Sequence, residues 1–89
     1  MTFEQIKNEY MERYNNEAYA NDADYKNLMS LFEAGSKLTD AAKREFVKGF
    51  DFEFALTGEM YLGGKRTAAI NYPNLMAEAA NVGIKITTR

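Results

Sequence analysis

The stretch 38–62 constrains the fold most, because four of the six phenylalanines of the chain lie within nine of its residues. Apolar side chains recur at every fourth position, as they do along one face of a helix; they are Ala42, Phe46, Phe50 and Phe54. Thr39 is a suitable N-cap for this helix, and Gly63 and Gly64 are suitable residues to end it. The periodicity therefore predicts one long central helix.

A second interpretation of the same stretch ends the helix at Gly49. Phe50, Phe52 and Phe54 alternate with Asp51 and Glu53, which is the pattern of a strand with one solvated face. The fold would then be α+β, with a small antiparallel sheet built from segments 50–56, 59–62, 65–70 and 84–88. The helical period covers more of the stretch, and its Ala, Leu, Glu, Met and Lys residues favour a helix, so we prefer the first interpretation.

Helix signals flank the central stretch on both sides. Thr2 and Gln5 have the spacing of a capping box, and a second helix is expected from Asp22 or Asp24 to Gly35. Pro73 is suited to the first position of a further helix, which Gly83 would end. The β-branched residues of segment 84–88 are typical of a short strand that needs a partner.

These signals predict a mainly α fold. We expect a compact bundle of three to four helices around a long central helix or helical hairpin, with a short C-terminal strand or β-hairpin. The length of 89 residues suits one small globular domain spanning residues 1–89.

The composition argues against catalysis. The chain has no His and no Cys, so the commonest general base and the thiolate nucleophile are both absent. Asp22, Asp24 and Glu33 have the spacing of a calcium loop, but Lys26 occupies a ligand position and Asn27 stands where that loop requires Gly. We therefore expect no enzyme activity, no metal site and no cofactor. No apolar run approaches the roughly 20 residues of a membrane span, and we expect a soluble, cytoplasmic protein.

Charge is distributed unevenly along the chain. Residues 1–35 carry a net charge of −4 and residues 63–89 a net charge of +3, within a total of −2. The two regions are expected to attract each other within one fold. The same asymmetry can also steer a charged partner or favour head-to-tail association.

These features favour a small binding protein that modulates or inhibits a macromolecular partner, as phage accessory proteins and inhibitors of host defence do. The expected partner is a protein with a basic surface, which includes nucleic-acid-binding complexes. The candidate partner-binding residues are the acids and tyrosines of the N-terminal region: Glu4, Glu9, Glu12, Glu17, Asp22, Asp24, Tyr10, Tyr14, Tyr19 and Tyr25.

Two other hypotheses remain open. In the first, the protein is structural and self-assembles as a homo-oligomer, with Phe52 buried between protomers. In the second, the basic C-terminal third binds nucleic acid weakly through Lys65, Arg66, Lys85 and Arg89. No motif in the chain is specific enough to name a family.

Overall fold

The computed structural model describes residues 1–14 and 22–88, and the side chains of all of these except residues 13 and 14. The described residues form a compact, mainly helical globule with one small parallel sheet. The order of elements is α1 (Phe3–Tyr14), α2 (Ala23–Gly35), α3 (Asp40–Gly49), α4 (Phe52–Ala55), β1 (Glu59–Leu62), α5 (Lys65–Asn71), α6 (Pro73–Val82) and β2 (Lys85–Thr88). No helix in the described ranges is long and apolar enough to cross a membrane.

The local capping signals are confirmed. The backbone N–H of Thr2 donates to Gln5 Oε1 at 2.8 Å, and the N–H of Gln5 donates to Thr2 Oγ1 at 3.1 Å, which is the reciprocal pattern of a capping box. Thr39 caps α3, with its Oγ1 accepting from the N–H of Ala42 at 3.4 Å. Gly83 ends α6 with φ of 80°, a left-handed conformation that suits glycine.

The prediction of one long central helix is wrong. α3 ends at Gly49, and Phe50 is extended, with φ of −69° and ψ of 123°. A Cβ atom at position 49 would lie 2.6 Å from Cδ2 of Leu62 in β1, so a larger residue here would require the Leu62 side chain to shift. Asp51 then starts the short helix α4 by accepting the N–H of Phe54 at 2.9 Å.

The alternative antiparallel sheet is wrong as well. Segment 50–56 contains the helix α4, and segment 65–70 lies in α5 rather than in a hairpin strand. Segment 59–62 is a strand, and the predicted C-terminal strand is confirmed at 85–88. The two strands pair in parallel, with Glu59 opposite Lys85 and Leu62 opposite Thr88. Parallel strands need a crossover connection, which α5 and α6 provide.

Glu59 links the two strands through its side chain. Its Oε2 accepts from Thr87 Oγ1 at 2.6 Å, and its Oε1 lies 3.0 Å from Lys85 Nζ. The Thr87 hydroxyl first, and then the Lys85 ammonium, hold the pKa of Glu59 below its ordinary value, because both stabilise the charged carboxylate.

Aromatic rings form the centre of the core. Phe32 and Phe46 are fully buried, with ring centroids 5.9 Å apart, and Phe3 packs edge-on against both. Phe50 extends this group, at 5.3 Å from Phe32 and 5.8 Å from Phe46. Because the chain bends after Gly49, Phe50 folds back over the rings of α2 and α3.

Two glutamates join α3 to α6. The buried Glu45 of α3 accepts the N–H of Leu75 at 2.6 Å and Asn74 Nδ2 at 3.3 Å, at the beginning of α6. In return, Glu78 of α6 accepts the N–H of Thr39 at 3.0 Å and its Oγ1 at 2.5 Å, at the beginning of α3. Each helix therefore provides hydrogen-bond acceptors for the N-terminus of the other, and the two run antiparallel.

Candidate partner-binding surface

Three of the predicted partner-binding acids lie on the solvent side of α1. The helix turns Phe3 and Ile6 into the core, where both are buried. Glu4, Glu9 and Glu12 occupy other positions of the helix and are exposed. The carboxylates are thus directed to solvent by the same periodicity that buries the apolar residues.

Two further acids stand at the beginning of α2, and both are exposed. Asp22 is the N-cap, because its Oδ1 accepts the N–H of Asp24 at 2.8 Å and the N–H of Tyr25 at 3.3 Å. Asp24 lies in the first turn, where a negative charge interacts favourably with the helix dipole. We call the exposed carboxylates of Glu4, Glu9, Glu12, Asp22 and Asp24 the acidic surface.

The acidic surface is not neutralised within the described fold. Across residues 1–14 and 22–88, as far as side chains are described, the single ion pair joins Lys85 to Glu59. The attraction expected between the acidic first third and the basic last third is therefore not found in these residues. Exposed carboxylates of this kind make the local electrostatic potential more negative and attract cationic partners.

The predicted tyrosine anchors are only partly accessible. Tyr10 is half-buried, and its ring stacks on Phe52 with centroids 4.6 Å apart and lies 5.4 Å from Phe50. It therefore belongs to the edge of the aromatic core. Tyr25 is also half-buried. Glu17, Tyr19 and the side chain of Tyr14 lie outside the described residues, so their partner-binding role stays a prediction.

Phe52, the predicted oligomer contact, is half-buried at the beginning of α4. One face of its ring is covered by Tyr10 of the same chain, at an interplanar angle of 13°. Part of its apolar surface is therefore already used within the protomer. A contact between protomers through Phe52 stays a prediction.

The described basic residues of the last third lie on two elements, α5 and β2. Lys85 is paired with Glu59 on the sheet, whereas Lys65 and Arg66 are exposed in the first turn of α5. Arg89 lies outside the described residues. One feature near Lys65 and Arg66 was missed by the sequence analysis: Ile70 is 70% exposed. Its segment was assigned to a strand in the α+β alternative, and a strand pattern does not show which residues a helix leaves in solvent.

An open groove of about 450 Å³ lies between the beginning of α1 and α3. Its wall includes Phe3 and Val47, and the Lys43 ammonium lies 5.6 Å from the centroid of the Phe3 ring. The volume falls within the range of small-molecule sites. The rim carries Glu4 and Asp40 as well as Lys43 and Arg44, so its charge does not favour a ligand of either sign.

Metal-binding and catalytic groupings are the remaining candidates for a site in the described part of the chain. It holds no group of three or more acidic, His or Cys side chains placed to bind a metal ion. The one buried carboxylate there, that of Glu45, is occupied by the hydrogen bonds that cap α6. The prediction that the protein is not an enzyme stays a prediction.

Comparison of the chain with protein-family models, with curated protein sequences and with solved structures found no match.

Proposed function

We propose that the protein binds a macromolecular partner with a basic surface through its acidic surface, and thereby modulates or inhibits that partner. The observation that carries the proposal is the exposure of all five carboxylates without a cationic partner among the described residues. The protein would act stoichiometrically, as accessory and inhibitor proteins do, including those that phages direct against host machinery.

Electrostatic repulsion within the acidic surface supports this proposal. Glu9 and Glu12 are three residues apart on α1, so their carboxylates are neighbours on the helix surface. Like charges at this spacing cost roughly 0.2–0.5 kcal/mol per pair. A basic partner would remove this repulsion on binding, and the local negative potential would raise the rate of encounter.

The test reverses the charge of the acidic surface at two positions, with Glu9→Lys and Glu12→Lys in one variant. Both positions lie in the second half of α1, where cations interact favourably with the helix dipole, so the fold should be retained. The matched control is Glu33→Lys with Glu53→Lys. Both control residues are exposed, lie outside the acidic surface and give the same change in net charge.

Binding of a fluorescent oligo-arginine peptide would be measured by anisotropy for the wild type and both variants. We expect the Glu9/Glu12 variant to lose about tenfold or more in affinity, corresponding to about 1.4 kcal/mol, and the control to lose clearly less. Wild-type binding should weaken as salt rises from about 0.05 to 0.5 M, because the contacting charges are screened. Equal losses in the two variants would show dependence on net charge alone and would contradict the proposal.

A further inference from the structure

One face of α5 is exposed to solvent in the described fold. Of the seven residues in this helix, Ala68 alone is buried, and the other six are exposed. Arg66 and Ile70 are four residues apart and lie on one stripe, with Lys65 and Ala69 beside them. We call these four residues the α5 face. It presents a branched apolar side chain, 70% exposed, next to two cations without an ion-pair partner among the described residues.

The electrostatics of α5 favour an acidic neighbour. Its N-cap is Gly64, which provides no side-chain hydrogen bond, and its first turn contains no acid. Lys65 and Arg66 instead place positive charge at the end of the helix that is already positive. Carboxylates brought close to this turn would offset the charges of the two side chains.

We propose that the α5 face binds the acidic surface of a second copy of this chain, in a head-to-tail contact. The charges of the two surfaces are complementary, and both sets are exposed and unpaired across the described ranges. This inference rests on the proposed function, because it uses the same carboxylates and names a second copy as a partner for them.

The packing of the helices explains why the contact forms between copies. α1 packs against α2 and α3, α3 packs against α6, and α5 packs against α6. The helices that carry the acidic surface and the helix that carries the α5 face therefore pack against different neighbours within one chain. Because the two surfaces differ, the contact is heterologous and can extend beyond a dimer.

The acidic surface also offers an apolar contact for Ile70. Met29 is 38% exposed on α2, one turn after Tyr25 and on the helix that begins with Asp22 and Asp24. Such a contact would add apolar burial to the attraction between charges. Nucleic acid is a less suitable occupant of the α5 face, because the chain has a net charge of −2 and a pI near 5.1.

The test is a charge exchange, followed by sedimentation velocity at low salt over a range of protein concentrations. One variant carries Glu9→Lys with Glu12→Lys, and the other carries Lys65→Glu with Arg66→Glu. The second variant should fold, since acids in the first turn of α5 are favourable. The matched control for its charge is Lys37→Glu with Lys48→Glu, at exposed positions outside the α5 face.

We expect the wild type to increase in mass with concentration and to return to a monomer at about 0.5 M salt. Each reversed variant alone should associate at least about tenfold more weakly. Glu9→Lys with Glu12→Lys removes most of the negative charge of the acidic surface, and Lys65→Glu with Arg66→Glu makes both surfaces negative. An equimolar mixture of the two should recover association. The Lys37/Lys48 control alone should associate like the wild type, because both of its surfaces are intact. Ile70→Ser should weaken wild-type association without affecting its salt dependence.

A wild type that stays monomeric at every concentration would overturn the inference, and so would a mixture that recovers nothing. In either case, loss of oligo-arginine binding in the Glu9/Glu12 variant would still support the proposed function. Association that is unchanged by Lys65→Glu with Arg66→Glu but lost in Phe52→Ala would assign the contact to Phe52 and overturn the inference. Oligonucleotide binding that depends on Lys65 and Arg66, without self-association, would also overturn the inference and would assign the α5 face to nucleic acid.

Discussion

Glu78 shows how a single half-buried side chain makes the stability of this protein dependent on pH. The hydroxyl of Thr39, and then its backbone N–H, hold the pKa of Glu78 below its ordinary value, because both donate to the charged carboxylate. A carboxyl whose pKa is lower in the folded than in the unfolded state adds stability above the unfolded value, about 4.3. That stability is lost as the pH falls through the folded pKa.

We therefore expect the free energy of unfolding of Glu78→Gln to decrease less than that of the wild type as the pH falls below about 5, where the charged form of Glu is lost. The variant should be less stable than the wild type at pH 7, and the difference should shrink towards pH 3 as the wild-type carboxylate becomes protonated. Urea unfolding midpoints from about pH 3 to pH 7 would measure this difference in stability. Glu53→Gln is the control, because Glu53 is exposed and its carboxylate makes no hydrogen bond in the described structure. Parallel curves for Glu78→Gln and the wild type would contradict the expectation.

The capping residues are also where the sequence was most informative. Thr2, Thr39 and Gly83 were each identified from the types and spacing of neighbouring residues, and each caps or ends a helix in the structure. Asp22 was one of two candidate N-caps for α2, and the structure selects it over Asp24. A cap depends on residues two to four positions away, so the sequence contains almost all of the interaction. Glu45 and Glu78 went unrecognised as caps, because each acts on a helix about 30 or more residues away.

At the scale of elements, α3 and α6 form a unit in which each depends on the other. α6 begins with Pro73 and receives no side-chain cap from its own N-cap residue, so Glu45 of α3 supplies the acceptor for the N–H of Leu75. Removing that acceptor leaves a buried donor unsatisfied. The cost of such a group is about 1–3 kcal/mol.

We expect Glu45→Ala to lower the free energy of unfolding by about 1–3 kcal/mol. Glu45→Gln should lower the free energy of unfolding by less, because the amide oxygen of Gln remains an acceptor. Glu33→Ala is the control, since Glu33 is exposed and its side chain makes no hydrogen bond or ion pair in the described part of the chain; we expect a change within about 0.5 kcal/mol. Urea unfolding followed by circular dichroism measures all three. Equal losses for Glu45→Ala and Glu33→Ala would contradict the capping role.

The central stretch shows where local signals fail at the scale of elements. Apolar residues do recur at every fourth position of this stretch, yet helix α3 ends at Gly49, where the backbone lies against Leu62. Contact with a strand that follows later in the chain accompanies the break at Phe50 and Asp51, and the helical preference of segment 50–56 is realised only in the four-residue helix Phe52–Ala55. Propensity differences of a few tenths of a kcal/mol per residue are easily exceeded by the packing of one large side chain.

At the scale of the whole molecule, stability depends on one small core built around a few aromatic rings. Phe46 is fully buried and contacts the rings of Phe3, Phe32 and Phe50. Truncating a buried Phe to Ala costs about 3–5 kcal/mol. That is a large part of the roughly 5–15 kcal/mol that stabilises a typical domain, and small domains are among the least stable.

We accordingly expect Phe46→Ala to leave a substantial fraction of the protein unfolded at room temperature, with loss of helical circular dichroism and of dispersed amide resonances. Phe54→Ala is the matched control, because Phe54 is half-buried and contacts the exposed Tyr61, with ring centroids 5.3 Å apart. Phe54→Ala should lower the free energy of unfolding clearly less than Phe46→Ala. A Phe46→Ala variant as stable as Phe54→Ala would show that the core does not depend on this group of rings.

The sequence by itself determined where α1, α2, α3 and α6 begin, where α2 and α6 end, that the fold is mainly helical, and that segment 84–88 contains a strand, because these features depend on residues within one or two turns of each other. Only the tertiary structure decided that α3 stops at Gly49, that β2 pairs in parallel with β1, and that Ile70 faces solvent. Each of these depends on which distant segments meet. That outcome is set by the burial of shared apolar surface across the whole chain, which no local pattern specifies.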